Sequence, residues 1–217
     1  MAAASDLSPL EKSLSSMASG YRVRFVFGSS GMLARQISQG APYDVYLAAS
    51  DQYVKDLAVS GAVLSDSVRV YALGQLGVWS RIGFVRQFSD LAGPQVLRVA
   101  IANPAHAPYG VAAREALRRA KLWSAVEPKL VMGQNVRQAL QYAESGNAEA
   151  AIVAWPLVMG RGGFVLSTDL HEPIRQAGGV VKSSRQPALG RRFLEFLVSD
   201  EGRSLLGRAG FLLPPKP

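Results

Sequence analysis

The sequence predicts an α/β protein of two lobes, each a mostly parallel sheet flanked by helices. A pattern of alternating strands and helices runs from residue 21 to residue 80, and a second pattern of the same kind starts near residue 95. Two amphipathic helices, Pro187–Ser199 and Glu201–Ala209, close the chain and need a sheet to pack on. With 217 residues, 48% of them hydrophobic, the chain suits one large domain or two small ones.

The first half alternates helices and strands, most of them ended by glycine or proline. A helix over Leu7–Ala18, with apolar residues at helical spacing, is expected to end at Gly20. The following predicted elements are strand Tyr21–Phe27, helix Met32–Gln39, strand Tyr43–Ala48, helix Ser50–Ser60 and a long strand or strand pair over Val68–Ser80.

The second half repeats this order of elements. They are strand Gln95–Ala102, helix Val111–Lys121, a short strand near Pro128–Met132, helix Val136–Ser145, strands Glu149–Trp155 and Phe164–Ser167, and an extended segment Arg175–Lys182. Strands that alternate with helices predict parallel sheets, in which ligands bind at the carboxyl ends of strands beside helix N-termini.

One strand–helix turn, within FVFGSSGMLARQISQ over residues 25–39, has the composition of an anion site. The first N–H groups of a helix have no partner inside it and carry partial positive charge, and the hydroxyls of Ser29 and Ser30 add donors. Gly28 and Gly31 allow a ligand to approach the backbone closely. Serine is also a common helix cap, so this turn taken alone is more often a cap than a site.

Three further turns have the same character, namely Ala4-Ser5, Tyr109-Gly110 and Asn135-Val136. Together with the serine turn they place two donor-rich turns in each predicted lobe. Four helix N-termini around a cleft would offer many N–H donors and no charged side chain, which suits a small, fully deprotonated oxyanion. Arg35, on the polar face of its helix, is expected to lie at the surface and not to touch the anion.

Composition excludes several classes of site. The formal charge of +8 favours anionic partners, but the basic residues are scattered, which is not typical of a nucleic-acid-binding surface. The chain has no cysteine, and therefore no disulfide, thiolate metal site or cysteine nucleophile. Two histidines, His106 and His171, are too few for an imidazole-rich metal site. The sequence contains no run of 18 apolar residues, so it predicts no membrane-spanning helix.

Two other classes of function remain possible from the residues alone. Gly28-Ser29-Ser30-Gly31 is similar to the nucleophile turn of serine hydrolases, but Met32 stands where that motif has glycine, and His106 would have to act as the base. A ligand-responsive regulatory domain would share the fold, but the sequence has no DNA-binding motif attached to it. We therefore expect a binding protein and not an enzyme.

The start of the chain raises a separate expectation. MAAASDLSPL has neither the basic region nor the apolar core of an export signal, and Ala2–Ser5 is interpreted as a loop that leads into a helix. We expect the functional protein to carry an upstream export signal and a short apolar strand. We also expect residues 1–217 alone to be marginally stable.

Several segments together resemble the periplasmic molybdate-binding proteins of ABC transporters, a family of two-lobed solute-binding proteins with a hinge. These segments are AAAS, SSGMLARQISQGAPYDVYLAAS, NPAHAPYG and NVRQAL, in the same order and with similar gaps over nearly the whole chain. The resemblance implies one lobe over residues 1–80 and 175–217, a second lobe over residues 81–174, and a ligand in the cleft between them.

The resemblance also implies which residues bind. The hydroxyls of Ser5 and Ser30 and the backbone N–H groups of Tyr109 and Val136 would hold the anion. In the family a tyrosine hydroxyl commonly supplies a further donor at the position of Ala154, so this chain lacks one hydroxyl there.

By the same resemblance the ligand is molybdate, and tungstate as well, captured in the periplasm for the permease subunit of an ABC transporter. The protein is expected to be a monomer that needs no cofactor and binds no nucleic acid. Another tetrahedral oxyanion such as sulfate remains the nearest alternative, because the two ions differ in size by only tenths of an ångström.

Overall fold

A computed structural model describes residues 1–16 and 22–215 of the chain. The predicted end of the first helix at Gly20 and the predicted start of a strand at Tyr21 lie outside the described residues, as do Lys216 and Pro217. Among the described residues, no helix has the length and hydrophobicity that a bilayer crossing requires.

Within residues 1–16 and 22–215, the elements follow the predicted order, with bounds that differ by a few residues. The strands are β1 (Ala2–Ala4), β2 (Val26–Gly28), β3 (Val45–Ala48), β4 (Arg69–Gly74), β5 (Leu76–Ser80), β6 (Val99–Ala102), β7 (Leu130–Gly133), β8 (Ala150–Ala154), β9 (Phe164–Val165) and β10 (Ile174–Val180). The α-helices are α1 (Glu11–Ser16), α2 (Ser30–Ser38), α3 (Asp51–Val59), α4 (Pro108–Arg119), α5 (Trp123–Val126), α6 (Val136–Glu144), α7 (Pro187–Val198) and α8 (Asp200–Arg208). A 3₁₀ helix, Ser5–Leu10, precedes α1.

The chain divides into two units, Met1–Gly74 with Arg175–Pro217, and Gln75–Ile174. Each unit contains a five-stranded sheet. The sequence placed the first crossing near Ser80, whereas the structure places it at Gly74–Gln75, because β5 pairs with β8 of the second unit from Leu76 to Ser80. The strand pair predicted over Val68–Ser80 is therefore β4 and β5, one in each unit.

The sheet of the first unit has the order β2-β1-β3-β10-β4. β1 lies parallel to both of its neighbours, with Ala2 opposite Val26 of β2 and Tyr46 of β3, while β10 runs antiparallel to β3. The sheet is thus mixed, with a parallel core of three strands. The expected mostly parallel sheet is correct only for that core.

The interpretation of Ala2–Ser5 as a loop was wrong for Ala2–Ala4. Ala2–Ala4 form an interior strand that pairs with β2 on one side and β3 on the other, and each of these alanines is at most 2% exposed. Three alanines show no alternation, and alanine has a low strand propensity. The strand is therefore defined by the pairing that β2 and β3 offer on either side, which the sequence of β1 does not reveal.

The two faces of this first sheet carry separate hydrophobic clusters. Alternate residues of β3 point to opposite faces, as in any strand. Val45 and Leu47 pack with Leu194 of α7 and Leu206 of α8, whereas Tyr46 and its neighbours on the other face pack with α2 and α3. Helices therefore cover both faces, as the sequence predicts.

A cavity of about 730 Å³ lies in the first unit at the amino end of β1. Its lining includes Met1, the segment before β2 (Arg22, Val23, Arg24), the segment before β3 (Pro42, Tyr43, Asp44) and α7 residues such as Phe193. Because β1 is parallel to β2 and β3, residues ahead of Ala2 would lie opposite these two segments. The cavity therefore occupies the line along which β1 would continue.

The sheet of the second unit has the order β7-β6-β8-β5-β9. β6 lies parallel to both β7 and β8, and β5 runs antiparallel to β8. Helix α6 contacts β6, β7 and β8, and α4 contacts β6 and β8. This sheet is also mixed around a parallel core, and its centre is formed by fully buried residues such as Ile101 and Ile152.

Candidate functional site

In the first unit, the predicted binding serines lie at the carboxyl edge of the sheet. Ala4, the last residue of β1, pairs with Gly28, the last residue of β2. Ser5 follows directly, is 3% exposed, and its hydroxyl donates a hydrogen bond to the carbonyl of Gly28 (3.2 Å). The parallel pairing of β1 and β2 thus brings the turns that carry Ser5 and Ser30 to the same edge.

Ser30 is the first residue of α2 and is 1% exposed. Its hydroxyl oxygen accepts a hydrogen bond from the backbone N–H of Ala49, just after β3 (2.9 Å). A hydroxyl that accepts one hydrogen bond still carries its own hydrogen, which an anion can accept. The side chain of Ser29 makes no capping bond to α2, so the serine turn is not an ordinary side-chain cap.

Tyr46 belongs to this group of residues, although no pattern in the sequence distinguishes it. It is fully buried in β3, and its hydroxyl donates a hydrogen bond to the carbonyl of Ser30 (2.7 Å). Burial raises the pKa of Tyr46 well above its ordinary value, and nearby Tyr53 adds to that increase. The phenol therefore keeps its proton and remains a donor across the physiological pH range.

In the second unit, Tyr109 lies in the first turn of α4. Pro108 is the first residue of this helix and has no N–H, so the amide of Tyr109 is the first N–H that α4 offers. Gly110 follows, and a Cβ atom there would lie 2.1 Å from the carbonyl oxygen of Ala102 at the end of β6. The turn therefore fits against the carboxyl end of β6 only because residue 110 is glycine.

Val136 is the first residue of α6, after the cap Asn135. The side chain of Asn135 accepts hydrogen bonds from the amides of Arg137 (3.0 Å) and Gln138 (3.1 Å), which leaves the Val136 N–H outside the capping interaction. Gly133, at the end of β7, pairs with Ala102 at the end of β6. The turns that carry Tyr109 and Val136 therefore lie at the same edge of this sheet.

Ala154 ends β8, which is parallel to β6, and is fully buried. Its methyl group offers no hydrogen bond, so the hydroxyl donor that the family resemblance implies at this position has no counterpart in the residue present. The adjacent Trp155 uses its backbone N–H to bond the carbonyl of Gln75 (2.9 Å).

Two charged residues close to the serine turn in sequence, Arg35 and Asp44, are not among the residues grouped at this edge of the sheet. Arg35 lies on the exposed face of α2, in its last turn. Asp44 precedes β3, at the opposite end of that strand from Ala49, and accepts a hydrogen bond from Ser184 (2.7 Å). Within residues 1–16 and 22–215, no three His, Asp or Glu residues are grouped in a way that could hold a metal ion.

Comparison with known proteins places the chain in a family. The sequence model of the family described as bacterial extracellular solute-binding protein matches residues 3–212. The chain belongs to this family. The family resemblance inferred from the sequence is thereby confirmed.

Named relatives of this solute-binding protein include the molybdate-binding proteins ModA of Rhodobacter capsulatus and Azotobacter vinelandii. The first is 34% identical over 197 residues, covering 89% of this chain and 78% of the relative. The second is 33% identical over 200 residues, covering 88% and 79%. The solved structure of the Azotobacter vinelandii periplasmic molybdate-binding protein superposes with a TM-score of 0.91 at 29% identity and covers 98% of both chains. The predicted two-lobed α/β fold is therefore confirmed.

Proposed function

We propose that this solute-binding protein binds molybdate, and tungstate as well, and delivers it to the permease of an ABC transporter. The observation that carries the proposal is the pair of buried serines, Ser5 and Ser30, at the carboxyl edge of the first sheet. Support comes from relatives named as molybdate-binding proteins that match this chain over most of its length.

The proposed donors are uncharged. They are the hydroxyls of Ser5 and Ser30 in the first unit, and the backbone N–H groups of Tyr109 and Val136 in the second. The Ser5 hydroxyl has one hydrogen, which it donates to the Gly28 carbonyl in the structure, so it has to turn from that carbonyl to the anion when the ligand binds. Hydrogen bonds to a charged group contribute roughly 1.5–3 kcal/mol each, so a few of them hold a dianion without a buried cation. The partial positive charge at the N-termini of α2, α4 and α6 favours the same ligand. No cofactor is needed, because the anion itself is the cargo.

Binding without catalysis fits the environment of Ser30. A serine nucleophile needs a base within hydrogen-bond reach of its hydroxyl. The Ser30 hydroxyl contact found in the structure is with the N–H of Ala49, which is a hydrogen-bond donor and not a base. We therefore propose a binding protein that is not an enzyme, acting in the periplasm as a monomer.

A thermal-shift screen against molybdate, tungstate, sulfate, phosphate and chloride tests the proposal. A ligand at 100 times its dissociation constant stabilises the folded state by about 2.7 kcal/mol. We expect molybdate and tungstate to raise the melting temperature at micromolar concentrations, and chloride to have no effect at matched ionic strength. Stabilisation by sulfate alone would assign the protein to another tetrahedral oxyanion, and no shift with any anion would reject the proposed function.

A second prediction concerns Arg35. If only uncharged groups touch the anion, Arg35→Gln should change the molybdate dissociation constant by less than about twofold, because an exposed charge acts mainly on the association rate. Stopped-flow binding at low and high salt should show that any rate difference disappears as salt screens the charge. A tenfold loss of affinity in folded Arg35→Gln would show that a basic side chain contacts the anion.

A further inference from the structure

Tyr46 forms a hydrogen bond to the backbone of Ser30, a residue of the proposed anion site. The Tyr46 hydroxyl donates to the Ser30 carbonyl (2.7 Å), and the N–H of Ala49 donates to the Ser30 hydroxyl oxygen (2.9 Å). The strand β3 and the residue that follows it therefore contact Ser30 at two atoms, one on its backbone and one on its side chain. Both contacts are buried.

One of these contacts restrains the backbone of Ser30, and the other restrains its side chain. A serine side chain has three staggered rotamers, and the Ala49 N–H selects the one that brings the hydroxyl oxygen to it. That selection aims the hydroxyl correctly only if the backbone of Ser30 is itself fixed. The first turn of a helix tends to fray, and the Tyr46 hydrogen bond to the first carbonyl of α2 opposes this fraying.

Burying the hydroxyl of Tyr46 costs free energy of hydration, whereas burying its ring does not. Phenylalanine would fill almost the same space in the cluster of α2, α3 and β3, whereas a buried hydroxyl must make a hydrogen bond to offset its lost hydration. The partner that it finds is the residue whose side chain we propose to bind the anion. The Tyr46 hydroxyl thus acts on the backbone of Ser30, whereas the Ala49 N–H acts on its side chain.

We propose that Tyr46 is a positioning residue, whose hydrogen bond to the Ser30 carbonyl orients the Ser30 hydroxyl for the bound oxyanion. The inference rests on the proposed function, because it assigns Tyr46 a role at that same site. The advantage is preorganisation, since donors that are already aimed at the ligand pay less ordering entropy when it binds.

The test is Tyr46→Phe, which removes the one oxygen, with molybdate affinity measured by calorimetry. We expect the dissociation constant to rise about 3- to 10-fold, the effect of one buried hydrogen bond. The matched control is Tyr43→Phe, because the Tyr43 hydroxyl also links the β3 segment to α2, through Gln36 (2.9 Å), but far from Ser30. The control should leave the affinity unchanged.

A double-mutant cycle separates positioning from general stabilisation. If Tyr46 acts through Ser30, Tyr46→Phe should have no further effect on affinity in the Ser30→Ala background, although it still lowers the melting temperature. Equal losses of affinity in both backgrounds would overturn the inference. A wild-type protein that binds neither molybdate nor tungstate would instead reject the proposed function.

A further measurement needs no variant and applies even if Tyr46→Phe does not fold. The proton of a fully buried, hydrogen-bonded hydroxyl exchanges slowly with water and gives its own NMR resonance. We expect the Tyr46 resonance to shift when molybdate is added, because the bond partner Ser30 changes its hydrogen bonding. A Tyr46 resonance that does not move at saturating molybdate would contradict the proposal.

Discussion

Ser30→Ala is expected to weaken molybdate binding by about 1.5–3 kcal/mol, or roughly 10- to 150-fold. The substitution removes the hydroxyl hydrogen that we propose the dianion accepts. It also leaves the N–H of Ala49 without the oxygen to which it now donates. Isothermal titration calorimetry on the folded variant gives the change in affinity directly, and thermal unfolding gives the change in stability.

Ser67→Ala is the matched control for this experiment. Ser67 is also buried in the first unit, and its hydroxyl accepts from the N–H of Val180 (2.9 Å) and donates to the carbonyl of Leu64 (2.6 Å). Both variants therefore lose a buried serine hydroxyl that accepts a backbone N–H, but only Ser30 is proposed to contact the anion. Equal affinities of wild type and Ser30→Ala, or an equal loss in Ser67→Ala, would refute the assignment of Ser30.

Joining four to six apolar residues to Met1 is expected to raise the melting temperature by at least about 5 °C. The added segment would continue β1 into the cavity of about 730 Å³ and pair with the segments before β2 and β3. Each apolar side chain that becomes fully buried contributes roughly 1.5–3 kcal/mol. Burial also lowers the pKa of the Met1 amine, so replacing that amine by an uncharged peptide group removes the cost of burying its charge.

The control for this extension is a glycine–serine segment of the same length. It also converts the Met1 amine into a peptide group but has no apolar side chain to bury. The apolar extension should therefore raise the melting temperature by more than the control does. Equal melting temperatures for both extended proteins and the original chain would mean that the cavity does not accept a strand.

Elements that have a recognisable pattern within their own residues could be predicted from the sequence. Short apolar runs identified β3 and β6, and amphipathic spacing identified α7 and α8. β1 could not be predicted, because three alanines carry no pattern and depend on two partner strands more than 20 residues away. The assignment of β5 to the second unit depends on its pairing with β8, and the turn at Gly74-Gln75 gives no local sign of a crossing.

The residues of the candidate site could likewise be predicted only in part. Ser5, Ser30, Tyr109 and Val136 were predicted from donor-rich turns and from a family resemblance, and the structure places each at the carboxyl edge of its sheet; their contacts with the anion stay a prediction. Tyr46 could not be predicted from the sequence, because its role depends on a hydrogen bond to a residue 16 positions away. A tyrosine within the run VYLA is typical of any buried strand, so only the partner of its hydroxyl distinguishes it.

The position of β10 in the first sheet bears on how the protein is made. β10 lies between β3 and β4, yet 125 residues separate it from β3 and 99 from β4 in sequence. During synthesis from the N-terminus, all of Gln75–Ile174 emerges before β10, and until then the first sheet has an open edge at β3. That edge stays without its partner until β10 has emerged, and an unpaired strand edge is a site where another chain can pair.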